Sequence, residues 1–247
     1  MEFPPGQGTR ASPACVKGTS MRFRPGPDPD FPYLDDGLRF NFPPPDEWKS
    51  DIACVGGNLS PGMLLSAYEQ GLFPWYNPGD PILWQSPETR MVIFPETLRV
   101  SKSMRKLIDR GHFETVINRD FESVICACAT TERPGQNGTW IDDDIIAAYI
   151  EMHRLEWAHS SEAYLDGNLV GGCYGISMGK VFFGESMFSH APNASKVAFL
   201  TFAERIFSAG AAFIDCQVPT PHLHSLGGVE MPRDEFLALL KETLIPE

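Results

Sequence analysis

The chain has 247 residues, 43% hydrophobic and 21% charged, with a formal net charge of -12 at pH 7. That length and apolar content suit one large domain or two small ones around a true core, and they exclude an intrinsically disordered chain. Apolar runs such as Ile145-Ile146-Ala147-Ala148-Tyr149-Ile150 fall far short of the roughly 20 residues of a bilayer-spanning helix, and the acidic balance argues against general affinity for nucleic acid while leaving local basic patches open.

In chain order, residues 1–20 carry prolines, Gly6, Gly8 and Gly18 but neither a structural period nor the apolar core of a signal peptide. We expect a disordered leader there, with Met21 a candidate start, and no secretion. From Phe23 to Pro45 the chain is rich in Pro, Asp and aromatics, which suits irregular packed structure. Ser60 as cap, Pro61 in the first turn and Gly71 past the end predict a helix over Pro61–Gln70. Short strands follow at Ile82–Trp84 and Met91–Phe94. In Arg99–Arg110 the spacing predicts a helix with Lys102, Arg105, Lys106 and Arg110 on one face. Taken alone, that face reads as an ordinary solvated one.

A strand over Phe113–Ile117, a helix over Phe121–Cys128, a polar loop over Thr130–Gly138 and a helix over about Asp142–Leu155 come next. The acids Asp142, Asp143 and Asp144 suit the positive end of that last helix. Three strands, His159–Leu165, Asn168–Ser177 and Lys180–Phe188, are joined by the turn pairs Asp166-Gly167 and Met178-Gly179 as an antiparallel meander. A helix over Ala194–Ala209, a strand over Ala212–Val218 and helices near His222–Leu226 and Arg233–Lys241 complete the chain. The class is α+β. We expect the leader at 1–20, a small N-terminal domain at 21–88 and a larger domain at 89–247. The cysteines Cys15, Cys54, Cys126, Cys128, Cys173 and Cys216 lack paired spacing, as expected of reduced thiols in a cytosolic protein.

Asp215 stands inside the apolar strand Ala211-Ala-Phe-Ile-Asp-Cys-Gln-Val218, with Gln217 two residues on and so expected on the same face. Glu185, in Phe-Phe-Gly-Glu-Ser-Met-Phe, is a second acid in an apolar strand. A buried acid needs a partner, so these residues suggest either structural salt bridges or a pocket for a cation or an amine. Gly175-Ile-Ser177-Met-Gly179, with Asp215 and His222 downstream, fits a serine hydrolase pattern, but that pattern requires a strand, a turn and then a helix, and Ser177 precedes another strand-like run. Cys126-x-Cys128 and His222-x-His224 lack the intervals of common zinc sites. No phosphate-binding glycine motif is present.

Five motifs occur in order: Gly71-Leu-Phe-Pro-Trp75, Gly138-Thr-Trp-Ile141, Phe183-Gly-Glu-Ser-Met-Phe-Ser189, Ala194-Ser-Lys196 and Ile214-Asp-Cys-Gln217. With His222-Leu-His-Ser-Leu-Gly-Gly228 and Pro232-Arg233, the chain from about Phe31 onward closely resembles the leucyl/phenylalanyl-tRNA-protein transferase family. The resemblance implies a cytoplasmic aminoacyltransferase that moves Leu or Phe, and less readily Met, from charged tRNA to proteins beginning with Arg or Lys, marking them for N-end rule degradation. It implies a small N-terminal domain beside a domain similar to GNAT acetyltransferases, with no metal or other cofactor, and we expect a monomer. By the same resemblance Asp215 polarises Gln217, which orients or deprotonates the acceptor amine, and Glu185 helps hold the reacting groups. The aminoacyl pocket is assigned to Cys173, Phe182, Met187, Phe199, Phe202, Ile206 and Ile214. Two of these depart from the family pattern, Cys173 where Met is expected and Phe199 where Leu is expected. Trp75 is expected to stack on the terminal adenosine, with Trp140, Tyr68 and Tyr149 nearby, and the basic helix becomes the expected contact to the tRNA backbone.

Overall fold

The computed structural model describes residues 31–131 and 139–244. The leader expected at 1–20 and most of the loop expected over Thr130–Gly138 lie outside the described residues.

The N-terminal part carries β1 (Ile52–Val55), α1 (Pro61–Glu69), β2 (Phe73–Pro74) and β3 (Leu83–Gln85), the strands forming a small antiparallel sheet in the order β1-β3-β2. Helix α1 begins at Pro61 as its sequence predicts, but Ser60 Oγ accepts from Leu34 N instead of capping the helix, at 3.1 Å. That bond pins the irregular segment before it. Gly71 adopts φ +77, the left-handed conformation that releases the chain from a helix.

The larger sheet uses β4 (Thr89–Ile93), β5 (Glu114–Ile117), β6 (Ala158–Leu165), β7 (Asn168–Met178), β8 (Val181–Ser189), β9 (Phe213–Asp215) and β10 (Val229–Pro232), in the order β10-β4-β9-β8-β7-β6-β5. All its pairings are antiparallel except β8 with β9. This is the α+β class expected. The β6–β7 turn has Asp166 at φ 50 and Gly167 at φ 77, two successive left-handed residues as the right-handed strand twist favours. The second hairpin turns one residue later than expected, at Gly179-Lys180, because β7 continues to Met178.

Side chains alternate across this sheet with the period of a strand. Val92, Phe183 and Phe213 face a core shared with α1, α3 (Phe121–Thr130), α4 (Asp143–Arg154) and α7 (Arg233–Leu244). Their neighbours Met91, Ile93, Phe182 and Ile214 face the opposite core, under α2 (Lys102–Asp109) and α5 (Ala194–Ser208). The buried Leu64 and Tyr68 of α1 belong to the first core, so the N-terminal part packs into the larger sheet's own interior. Among the described residues no helix is long and apolar enough to cross a membrane.

At Gly175 a bulge interrupts the β7–β8 register, and an added Cβ would stand 2.1 Å from Phe183 O and 2.7 Å from the Phe182 ring. Gly175→Ala is therefore expected to destabilise the fold by about 2 kcal/mol or more, as an overpacked core does. A urea midpoint equal to the parent's would contradict this.

Candidate active site

Asp215 ends β9 and, with Arg90 of β4, is completely buried. The two form a bidentate pair, Arg90 Nε donating to Asp215 Oδ1 at 2.9 Å and Nη2 to Oδ2 at 2.7 Å. Nη1 donates to Gly71 O at 3.0 Å, and the guanidinium lies 4.9 Å from the Phe73 ring centroid and 4.3 Å from that of Phe236. Burying two charges is tolerable only with such complete satisfaction. The structural salt bridge that sequence left open is therefore present.

Two expectations about Gln217 are corrected. The strand ends at Asp215 and Gln217 turns to φ 56, so the two side chains do not share a strand face. Asp215 Oδ1 accepts from the backbone N of Gln217 at 2.9 Å, while the side-chain Nε2 of Gln217 donates to the Asp215 backbone O at 3.4 Å. The carboxylate thus holds the turn that aims Gln217 and does not touch its amide.

Glu185 projects from β8 toward α1 and α4. Tyr68 OH donates to its Oε1 at 2.7 Å and Tyr149 OH to its Oε2 at 3.1 Å, and the two hydroxyls also touch each other. Burial pushes the Glu185 carboxyl up to about 7, even though both tyrosine hydrogen bonds oppose the shift. Burial and the neighbouring carboxylate raise both phenols well above their ordinary range. Both tyrosines are fully buried and offer no ring face to a nucleobase. They were expected near the surface that stacks on the terminal adenosine, and they lie beneath Glu185 and hold it.

A cavity of about 500 Å³ opens beside these groups, with Glu185 and Gln217 among its lining. Of the residues expected in an aminoacyl pocket, Cys173, Phe182, Met187 and Phe199 line it. Phe202, Ile206 and Ile214 are buried behind that lining, with Phe202 edge-on to Phe182 at 4.7 Å between centroids. Cys216, Thr220, His222 and Leu223 also line the cavity and were not singled out for it. Ser177 lies elsewhere, in a hollow with His159 and Trp157. It sits in a strand that leads into a hairpin, and Asp215 is committed to Arg90, so the hydrolase arrangement is absent among the described residues.

Trp75 is 37% exposed at the end of β2, and Trp140 is half-buried against the first core. Lys102 and Lys106 of α2 and Arg110 just past its end are exposed. Arg105 departs from the expected free face: its guanidinium pairs with Glu204 of α5.

An apolar cavity with an enclosed carboxylate and an amide at its polar edge, set in an α+β sheet, suits an enzyme that handles an apolar group attached to a polar reacting centre. The comparisons place the chain among acyltransferases. Residues 92–241 match the family model described as Leucyl/phenylalanyl-tRNA protein transferase, and residues 57–88 match the model of that protein's N-terminal domain. A leucyl/phenylalanyl-tRNA–protein transferase from Myxococcus xanthus is 50% identical over 204 residues, 82% of this chain and 87% of that one. Its namesake from Nitrosospira multiformis is 51% identical over 191 residues, 77% of this chain and 82% of that one. The chain belongs to the leucyl/phenylalanyl-tRNA protein transferase family. Among solved structures, a GCN5-related N-acetyltransferase from Kribbella flavida aligns at 11% identity and TM-score 0.36, over 70% of this chain and 61% of that one. A likeness that slight carries no weight.

Proposed function

We propose that the chain transfers Leu or Phe, and less readily Met, from aminoacyl-tRNA to the N-terminal Arg or Lys of acceptor proteins. It does so in the cytoplasm, as a monomer, and its products enter N-end rule degradation. The observation that carries this reading is the cavity itself: aromatic and aliphatic walls beside Glu185 and Gln217, in a chain of this family.

The chemistry follows from the substrate. An aminoacyl ester is already activated, so aminolysis requires proximity, a free amine and stabilisation of the oxyanion, and no cofactor. Cys173, Phe182, Met187 and Phe199 hold the apolar side chain, with Phe202, Ile206 and Ile214 fixing their shape from behind; such a pocket selects by size and apolar contact. Glu185 holds an amino group at the polar edge. Asp215 acts through the backbone turn that presents the Gln217 amide to the acceptor amine. The net charge of -12 on the chain favours an acceptor that begins with Arg or Lys. We assign residues 21–88 to the small N-terminal domain and 89–247 to the catalytic domain.

Trp75, with Trp140, stacks on the terminal adenosine. Lys102, Lys106 and Arg110 contact the tRNA backbone, while Arg105 tethers α2 to α5. Replacing those three by Gln should weaken tRNA binding and flatten its dependence on log salt concentration by roughly two, as three lost phosphate contacts imply. An unchanged salt slope would remove α2 from the interface. The transfer itself is tested by mixing the protein with tRNA carrying labelled Phe and a protein that begins with Arg. Label should appear at the acceptor's N-terminus, and its absence would overturn the reading.

A further inference from the structure

Aminolysis of an ester must move one proton from the attacking amine to the departing oxygen, and Gln217, Glu185, Cys173 and Cys216 leave that proton without a carrier. An amide such as Gln217 donates and accepts hydrogen bonds but does not take up a proton near neutral pH. Glu185 receives a hydroxyl on each oxygen, from Tyr68 and Tyr149, and its carboxylate is committed by the proposed function to holding an amino group, so it is not free to shuttle the proton between the attacking amine and the departing oxygen. Burial raises the thiols of Cys173 and Cys216 far above neutral, so they stay protonated.

His222 is left. It stands on the short helix α6 (Pro221–Ser225) and lines the same cavity as Glu185 and Gln217. Its Nε2 is buried with no hydrogen-bond partner among the described residues, in contrast to His224 on the same helix, which pairs with Glu230 at 2.8 Å. An unsatisfied buried nitrogen costs about 1–3 kcal/mol, a cost relieved by any substrate group that meets it after a small turn of the ring. Burial, and then the ammonium of Lys196 on α5, hold the imidazole below its ordinary value, so it is neutral and able to accept a proton at pH 7.

We propose that the imidazole of His222 is a further catalytic group, carrying the proton of the attacking amine to the departing 3′-oxygen of the terminal ribose. The bond from the amine nitrogen to the carbonyl carbon forms and the bond from that carbon to the 3′-oxygen breaks. The proton leaves nitrogen for the ring and ends on the oxygen, and the imidazole returns neutral. This rests on the reading of the cavity as an aminoacyl site.

The test compares the parent with His222→Ala and His222→Gln in two measurements. One is single-turnover transfer of Phe from charged tRNA to a protein beginning with Arg. The other is binding of phenylalanyl-adenosine with a non-hydrolysable 3′-amide, which also reports that each variant is folded. Both variants should bind the analogue within about twofold of the parent and transfer about 100-fold more slowly, the scale of one general base. Added imidazole should restore at least about tenfold to His222→Ala and little to His222→Gln, whose side chain fills the space. A transfer rate within about threefold of the parent would overturn the assignment, as would a loss of analogue affinity large enough to account for the lost rate. A parent that neither transfers Phe nor binds the analogue would instead refute the aminoacyl reading.

Discussion

Arg90→Met should destabilise the protein by about 3–5 kcal/mol, the cost of leaving a buried carboxylate without its counter-charge. Arg90 and Asp215 are both fully buried and share two hydrogen bonds, and no solvent is at hand to take over from a missing guanidinium. The loss also removes the donor to Gly71 O, where the chain leaves α1, so the small sheet loses an anchor to the large one. Urea unfolding of parent and variant at pH 7 measures the difference. A second variant separates charge from packing. In Arg90→Met with Asp215→Leu both charges are gone, and most of the stability should return, because an apolar pair of similar volume is often as stable as a buried ion pair. Transfer activity should remain low in the double variant, since an aliphatic side chain cannot accept from the backbone N of Gln217 as Asp215 does at 2.9 Å. An Arg90→Met variant within about 1 kcal/mol of the parent would show that the pair does not carry the core, the charge then being absorbed by relaxation.

How much of this was legible in the sequence depends on distance along the chain. Helix α1 was written in Pro61 and Gly71, α4 in Asp142, whose side chain accepts from Ile145 N at 2.9 Å, and the meander in Asp166-Gly167. Each signal lies within a few residues of what it specifies. Of the missed strands, β1 and β10 have no such signal: they are four residues each, mostly exposed, and β10 ends in a proline that only an edge position accommodates. Arg90 was overlooked for a different reason. A lone arginine in Thr-Arg-Met-Val-Ile demands a buried acid as firmly as Asp215 demands a base, but the two are 125 residues apart, and only the β4–β9 pairing, Val92 with Asp215 and Ile93 with Ile214, joins their strands. The pairing of two lone charges in apolar strands was the available clue. Tyr68 and Tyr149 illustrate the limit of reading aromatics by type. A tyrosine stacks on a base through its face, but here the hydroxyl is the working part, and only the convergence of α1, α4 and β8 on Glu185 reveals it.

The same convergence fixes the sign of a pH effect. Glu185 has a carboxyl that burial lifts from 4.5 to about 7, so between those values the folded chain holds a proton that the unfolded chain has released. Stability from this group is therefore complete below about pH 4.5, falls as pH rises and is lost above pH 7, for a total of about 3 kcal/mol. This is opposite to the usual carboxylate, whose paired charge strengthens the fold as pH rises. Glu185→Gln keeps the size and the acceptor for Tyr68 and has no proton to lose. Unfolding free energies of parent and variant, measured by urea from about pH 5 to pH 8, should then diverge by about 2–3 kcal/mol, with the variant gaining on the parent toward alkaline pH. The variant should also transfer poorly, because a neutral amide cannot hold an ammonium group as a carboxylate does. Stability curves that stay parallel across that range would mean that Glu185 is ionised throughout, its charge fully met by the two tyrosine hydroxyls. Aminoacyl transfer would then draw on a permanent negative charge at the cavity edge and not on one that appears near pH 7. That alternative predicts a rate insensitive to Glu185 titration, so the stability curves and the pH dependence of single-turnover transfer must change together or not at all.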